Sequence, residues 1–137
     1  MSEIKNNMVR PSDALKLSGL LGILAGMVIG LYQVLLRDPM VFGESIASPI
    51  WMIGAHVHFF GLSLIVLFYG LFIDDFFEGY KGVTAALAII GQWGLPLVLL
   101  LAHGLDIMPL NALQLPLGVI NIAVILAFII NFSRRGL

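Results

Sequence analysis

The sequence predicts an all-α integral membrane fold, a bundle of four transmembrane helices in a single domain over residues 1–137. Three observations carry that prediction. The chain is 60% hydrophobic and only 11% charged, against about 25% charged in soluble domains. Four apolar stretches, about 14–36, 49–73, 83–104 and 115–132, are each long enough to cross hydrocarbon, which takes roughly 17 to 25 helical residues. Between them lie short segments marked by proline, glycine and clustered polar residues, the usual punctuation of turns.

Composition also removes several function classes. Seven basic and eight acidic residues give no basic field to hold nucleic acid. With no cysteine there is no disulfide, thiolate metal site or cysteine nucleophile. The chain has no P-loop, Rossmann fingerprint, Ser-His-Asp set or HExxH motif, so the sequence assigns no catalytic residue.

Residues 1–13 are polar and are expected along the membrane surface, with Ser12 or Asp13 available to cap the first span. That span is longer than a signal-peptide core and is followed by no small-residue cleavage site, so it is read as retained. Within it Gly22, Gly26 and Gly30 recur every four residues, with Ser18 one step earlier. Such a stripe lets another helix approach closely in lipid, where burial of apolar surface alone drives nothing.

The loop 37–48 contains Pro39 and Gly43, and Pro49 opens the second span where a missing N–H costs nothing. The stretch 48–75 carries His56 and His58 and is the one around which the other spans are expected to pack. The turn DDFFEGYKG contains Asp74, Asp75 and Glu78. It lacks the second acidic motif of a magnesium-dependent prenyl-transferring site and is too short for a pocket, so it reads as a polar turn.

The third span holds Gln92, Trp93, Pro96 and His103, and Pro116 opens the fourth. Trp93 falls near mid-span and is expected against a helix, whereas Tyr32, Trp51 and Tyr80 suit the interfaces. Gln114 and Asn121 share one face of the fourth span.

Lys5, Arg10, Lys16, Lys81, Arg134 and Arg135 fall on the side of the two termini, and only Arg37 on the other. By the positive-inside rule both termini are expected in the cytoplasm, in an inner or plasma membrane. His56, His58 and His103 then belong to the outer half, the first two about 10 to 14 Å beyond Pro49.

Residues two apart on a helix point about 200° away from each other, so His56 and His58 are expected to have separate jobs. Hydrocarbon disfavours charged imidazole, and the neutral ring is the form a metal takes. His56, His58 and His103 are therefore the candidate cofactor-binding residues, with His58 and His103 as metal ligands from adjacent helices. Haem b or copper suits such ligands better than zinc or bare iron, because no second carboxylate lies at this depth.

The alternative is a site without cofactor, each ring bonding across helices to Gln33, Ser63, Gln92, Gln114 or Asn121. The run Gly54-Ala55-His56-Val57-His58-Phe59-Phe60-Gly61-Leu62 resembles the H-x-H-x-x-x-G/L pattern at the outer end of a span in small four-helix membrane proteins. These are related to haem-copper oxidase subunit I and include the nitric-oxide-response membrane proteins. The resemblance covers one helix of four and implies that His56 or His58 ligates haem. The full oxidase subunit has further spans and histidines that this chain lacks, so what is implied is an accessory or cofactor-carrying subunit rather than oxygen reduction by this chain.

The expectation is accordingly a subunit of a larger membrane oxidoreductase, embedded in lipid beside other membrane subunits of a hetero-oligomeric complex. Its histidines would bind haem b or copper or line a quinol or proton path. Two rivals stand beside it. One is a purely structural subunit of a respiratory complex or a copper membrane monooxygenase. The other is a small homo-oligomeric channel or transporter.

Overall fold

The computed structural model of the chain describes residues 9–43, 46–77 and 79–135. The expected surface segment up to residue 8, with Lys5, lies outside the described residues, as does Glu78 of the acidic turn. Four helices are long and apolar enough to cross a membrane: Pro11–Leu36, Ile50–Phe76, Lys81–Gly104 and Met108–Arg134. The chain is an all-α, multi-pass membrane protein, with no strand among the described residues.

Helix α1 (Pro11–Leu36) begins with proline at its first position, after Arg10. The fixed φ of proline and its absent N–H suit that position, so the helix starts ahead of the two residues expected to cap it. Ser12 is buried inside the first turn, and Asp13 pairs with Arg10 at 2.8 Å. A single turn, α2 (Pro39–Phe42), is capped by Asp38, whose carboxylate accepts the Met40 N–H at 2.9 Å. Gly43 ends it at φ 77°, a conformation glycine adopts without steric penalty.

Helix α3 (Ile50–Phe76) follows Pro49 directly. Helix α4 (Lys81–Leu99) runs back and widens into a π-helical turn, Leu100–Gly104. A 3₁₀ turn, Met108–Leu113, leads into α5 (Gln114–Arg135). Two residues other than glycine, Tyr80 before α4 and Asp106 after the π turn, take left-handed φ angles of 58° and 57°. Both sit in short connections between helices, where a few characteristic turn conformations recur.

Helices α1 and α3 meet along the glycine stripe. A Cβ added to Gly19 would stand 2.8 Å from the Leu67 Cβ, and one on Gly26 would stand 3.2 Å from the Phe60 backbone nitrogen. Backbones this close gain dispersion contacts that lipid tails cannot replace. The spans of α4 and α3 are 39% and 33% buried over their most apolar stretches, against 22% for α1 and 11% for α5, so α3 and α4 form the centre of the bundle and α5 is applied to one side.

At the end carrying the termini, Leu15, Val66, Tyr69, Ile73, Ala85, Ala88, Val124 and Phe128 form one core. Lys81 there donates to the Asp74 carboxylate at 3.0 Å and to its carbonyl at 3.2 Å, tying the close of α3 to the start of α4.

Candidate functional site

The most buried polar groups form a knot near the middle of the bundle. Gln92 and Ser63 are 0% exposed. The Gln92 amide nitrogen donates to the Ser18 carbonyl at 2.8 Å and to Ser63 Oγ at 2.9 Å, while Gln92 Oε1 accepts from Ser18 Oγ at 2.8 Å. Trp93 Nε1–H completes the set by donating to Ser18 Oγ at 2.9 Å. A carbonyl only accepts, so the bond to Ser18 O fixes which end of the amide carries hydrogen. Three helices are thereby joined where no water is at hand to satisfy them.

Gly22 is what lets the knot close. A Cβ there would overlap Ser63 Oγ and Gln92 Nε2. Farther along, Asn121 of α5 donates to the Gly91 carbonyl at 3.2 Å and to its own Leu117 carbonyl at 3.1 Å. Pro96 supplies no N–H to the carbonyl four residues before it, and this polar contact from the neighbouring helix lies beside that gap.

The three histidines occupy three settings. His56 points into the α1–α3 seam, where its Nδ1 donates to the Gly26 carbonyl at 2.8 Å, and a Cβ on Gly30 would stand 2.7 Å from its Cε1. His58, on the opposite side of α3, donates from Nδ1 to the carbonyl of Gly54, one turn back, at 2.7 Å. Its flanking glycines leave space: nothing comes within 4 Å of a Cβ placed on Gly61, and only Leu99 of α4 approaches one on Gly54, at 3.7 Å.

His103 is half-buried in the π turn and makes no hydrogen bond among the described residues. A regular helix would place it on the face of Gln92 and Pro96, but a π turn advances less per residue and shifts that phase.

Register sets the backbones of His58 and His103 at different levels along the bundle. Gly54 faces Leu99, and Gly104 lies against the ring of Trp51, so His103 is level with residues near Trp51. At 1.5 Å per residue it stands about 10 Å from the level of His58. No group of three or more His, Asp or Glu side chains suited to a metal ion occurs among the described residues.

The polar side chains expected to receive the histidines bond elsewhere. Gln33 donates to the Met52 carbonyl at 3.0 Å, Gln114 to Asn111 Oδ1 at 2.7 Å, and Ser63 and Gln92 belong to the knot. His56 and His58 use main-chain carbonyls instead, and both rings are thereby set in one tautomer. With Nδ1 carrying the proton, a neutral ring has its free lone pair on Nε2.

Ser18 is legible in the sequence only as a member of the small-residue stripe, and Tyr69 carries no mark there that singles it out. In the structure the Tyr69 ring lies flat on Phe128, 3.6 Å between centroids at 8°. Its signal is the matched spacing of aromatic residues four apart on two helices, Phe72 and Phe76 on α3 and Phe128 and Phe132 on α5.

Residues 11–134 match a family described as a domain of unknown function, DUF8059. That match covers most of the chain, which therefore belongs to the family. No curated protein matches it, and no solved structure does.

Proposed function

We propose that this protein is an integral membrane subunit of a larger oxidoreductase complex, with both termini cytoplasmic and His58 offering Nε2 to haem b or copper. One observation carries the reading: the His58 Nδ1–H is committed to the Gly54 carbonyl at 2.7 Å, between glycines that leave the helix face open. Ligating histidines regularly donate their other ring N–H to such a carbonyl, which orients the ring and raises the basicity of the ligating nitrogen.

His58 thus fits as one ligand. The level of His103, about 10 Å away along the bundle, makes a neighbouring subunit the better source of further ligands. Haem or copper would supply one-electron chemistry when bound. The orientation is supported by Arg10, Lys16, Lys81 and Arg134 at one end and Arg37 alone at the other.

The test is to purify the tagged chain with its native partners from its own membranes, then record visible spectra and metal content. Haem bands or stoichiometric copper that disappear in His58→Ala, with the assembly intact, are expected. An assembly holding neither refutes the cofactor.

A second reading, a purely structural subunit, is favoured by His56, whose Nδ1–H is committed to the Gly26 carbonyl within the α1–α3 seam. It predicts that His58→Gln is silent in every readout.

A further inference from the structure

The α3–α5 seam, on the side of the bundle nearer the termini, contains a second candidate site. A cleft of about 280 Å³ is lined by Phe68, Tyr69, Phe76, Ile125, Phe128 and Phe132 among others. A neighbouring cleft of about 350 Å³ shares Phe68, Tyr69 and Ile125 with it and extends the opening to Leu64. Together they follow α3 from Leu64 to Phe76, a length of about 18 Å.

The walls are aromatic: Tyr69 is stacked on Phe128, and Phe76 meets Phe132 edge-on at 5.2 Å and 71°. Among the described residues lining the clefts, Tyr69 contributes the one polar side chain. It is 6% exposed, lines both clefts, and its hydroxyl makes no hydrogen bond among the described residues. The hydroxyl is not among the sealed polar atoms that lack a partner, so it opens onto the cleft, where hydrocarbon offers no acceptor for its O–H.

We propose that this cleft binds a lipid-soluble quinone, with Tyr69 donating its hydroxyl hydrogen to a ring carbonyl oxygen. The depth selects this class. Tyr69 lies seven residues, about 10 Å, inside the end of α3, below the level at which phospholipid esters sit. An acyl chain at that depth has no acceptor to offer, whereas the headgroup of a quinone is a flat ring bearing two. Aromatic walls favour a planar π system, none of the described residues lining either cleft is charged, and the shared run toward Leu64 accommodates an apolar tail.

This inference rests on the oxidoreductase reading only for its biological sense. The binding itself is measurable on the chain alone.

The full chain in phosphatidylcholine nanodiscs is titrated with a decyl-tailed benzoquinone, and a photoreactive azido analogue is cross-linked and mapped by mass spectrometry. The expected result is saturable binding, with label on peptides covering 64–76 and 125–132. Tyr69→Phe should weaken binding about 5- to 10-fold, the worth of one hydrogen bond to a neutral partner. Ile125→Trp, which fills the region shared by the clefts, should abolish the label, with thermal unfolding measured on both variants to show that they fold.

Label spread evenly over all four helices, binding no greater than partition into empty nanodiscs, or undiminished affinity in Tyr69→Phe overturns the proposal. His58→Ala separates the two readings. Quinone binding that survives in an assembly without haem or copper removes the cofactor alone, and haem or copper present without saturable quinone binding removes this site alone.

Discussion

Gly22 has little latitude, because any side chain there meets Ser63 Oγ and Gln92 Nε2, both held in the knot. Gly22→Ala is expected to destabilise the bundle by about 1–3 kcal/mol, the range for overpacking a filled interior, read as a shift in unfolding in mixed detergent micelles. Gln92→Leu should also destabilise, since it leaves the Ser18 carbonyl and both serine hydroxyls short of a partner. Interhelical hydrogen bonds in lipid average about 0.6 kcal/mol and reach about 1.7, so its effect should exceed that of Ser63→Ala, which removes one bond. At this scale the sequence was partly legible. The period-four glycines and the opposed faces of His56 and His58 follow from helical geometry, but their bonding partners do not. Those partners are the Gly26 and Gly54 carbonyls, and a backbone atom carries no signature of its own in the sequence.

Among the elements, α4 departs most from regular geometry. Its apolar run Leu100-Leu101-Ala102-His103-Gly104 reads in the sequence as ordinary helix, yet it forms a π turn. Pro96, one turn earlier, is the only local mark of the change, because it deprives the ladder of a donor. The position of His103 was for this reason legible in depth and not in rotation. At the other end of α4 the Lys81–Asp74 pair is partly exposed, and exposed ion pairs contribute little. Lys81→Met is expected to change stability by less than about 1 kcal/mol, with the difference shrinking further in high salt. Unfolding curves at two ionic strengths measure both effects.

For the whole molecule, four spans and their approximate bounds could be read from hydropathy and turn residues, because length and composition settle what crosses hydrocarbon. The order of packing could not, since apolar faces in lipid look alike whether they meet a helix or an acyl chain. The proposed orientation has a direct check in a chain without cysteine. Met40→Cys, at a position 93% exposed, should react with an impermeant maleimide added to intact cells, and Gly79→Cys only after permeabilisation. The reverse pattern would invert the topology. The midplane knot bears also on biogenesis. Until α4 is released into the bilayer, Ser63 lacks the amide it serves and the Ser18 hydroxyl lacks its acceptor, so a nascent chain halted after α3 exposes polar groups to hydrocarbon. Membrane chaperones and proteases that survey newly inserted helices would meet a distinguishing mark on the unfinished chain, and completion of the third crossing erases it.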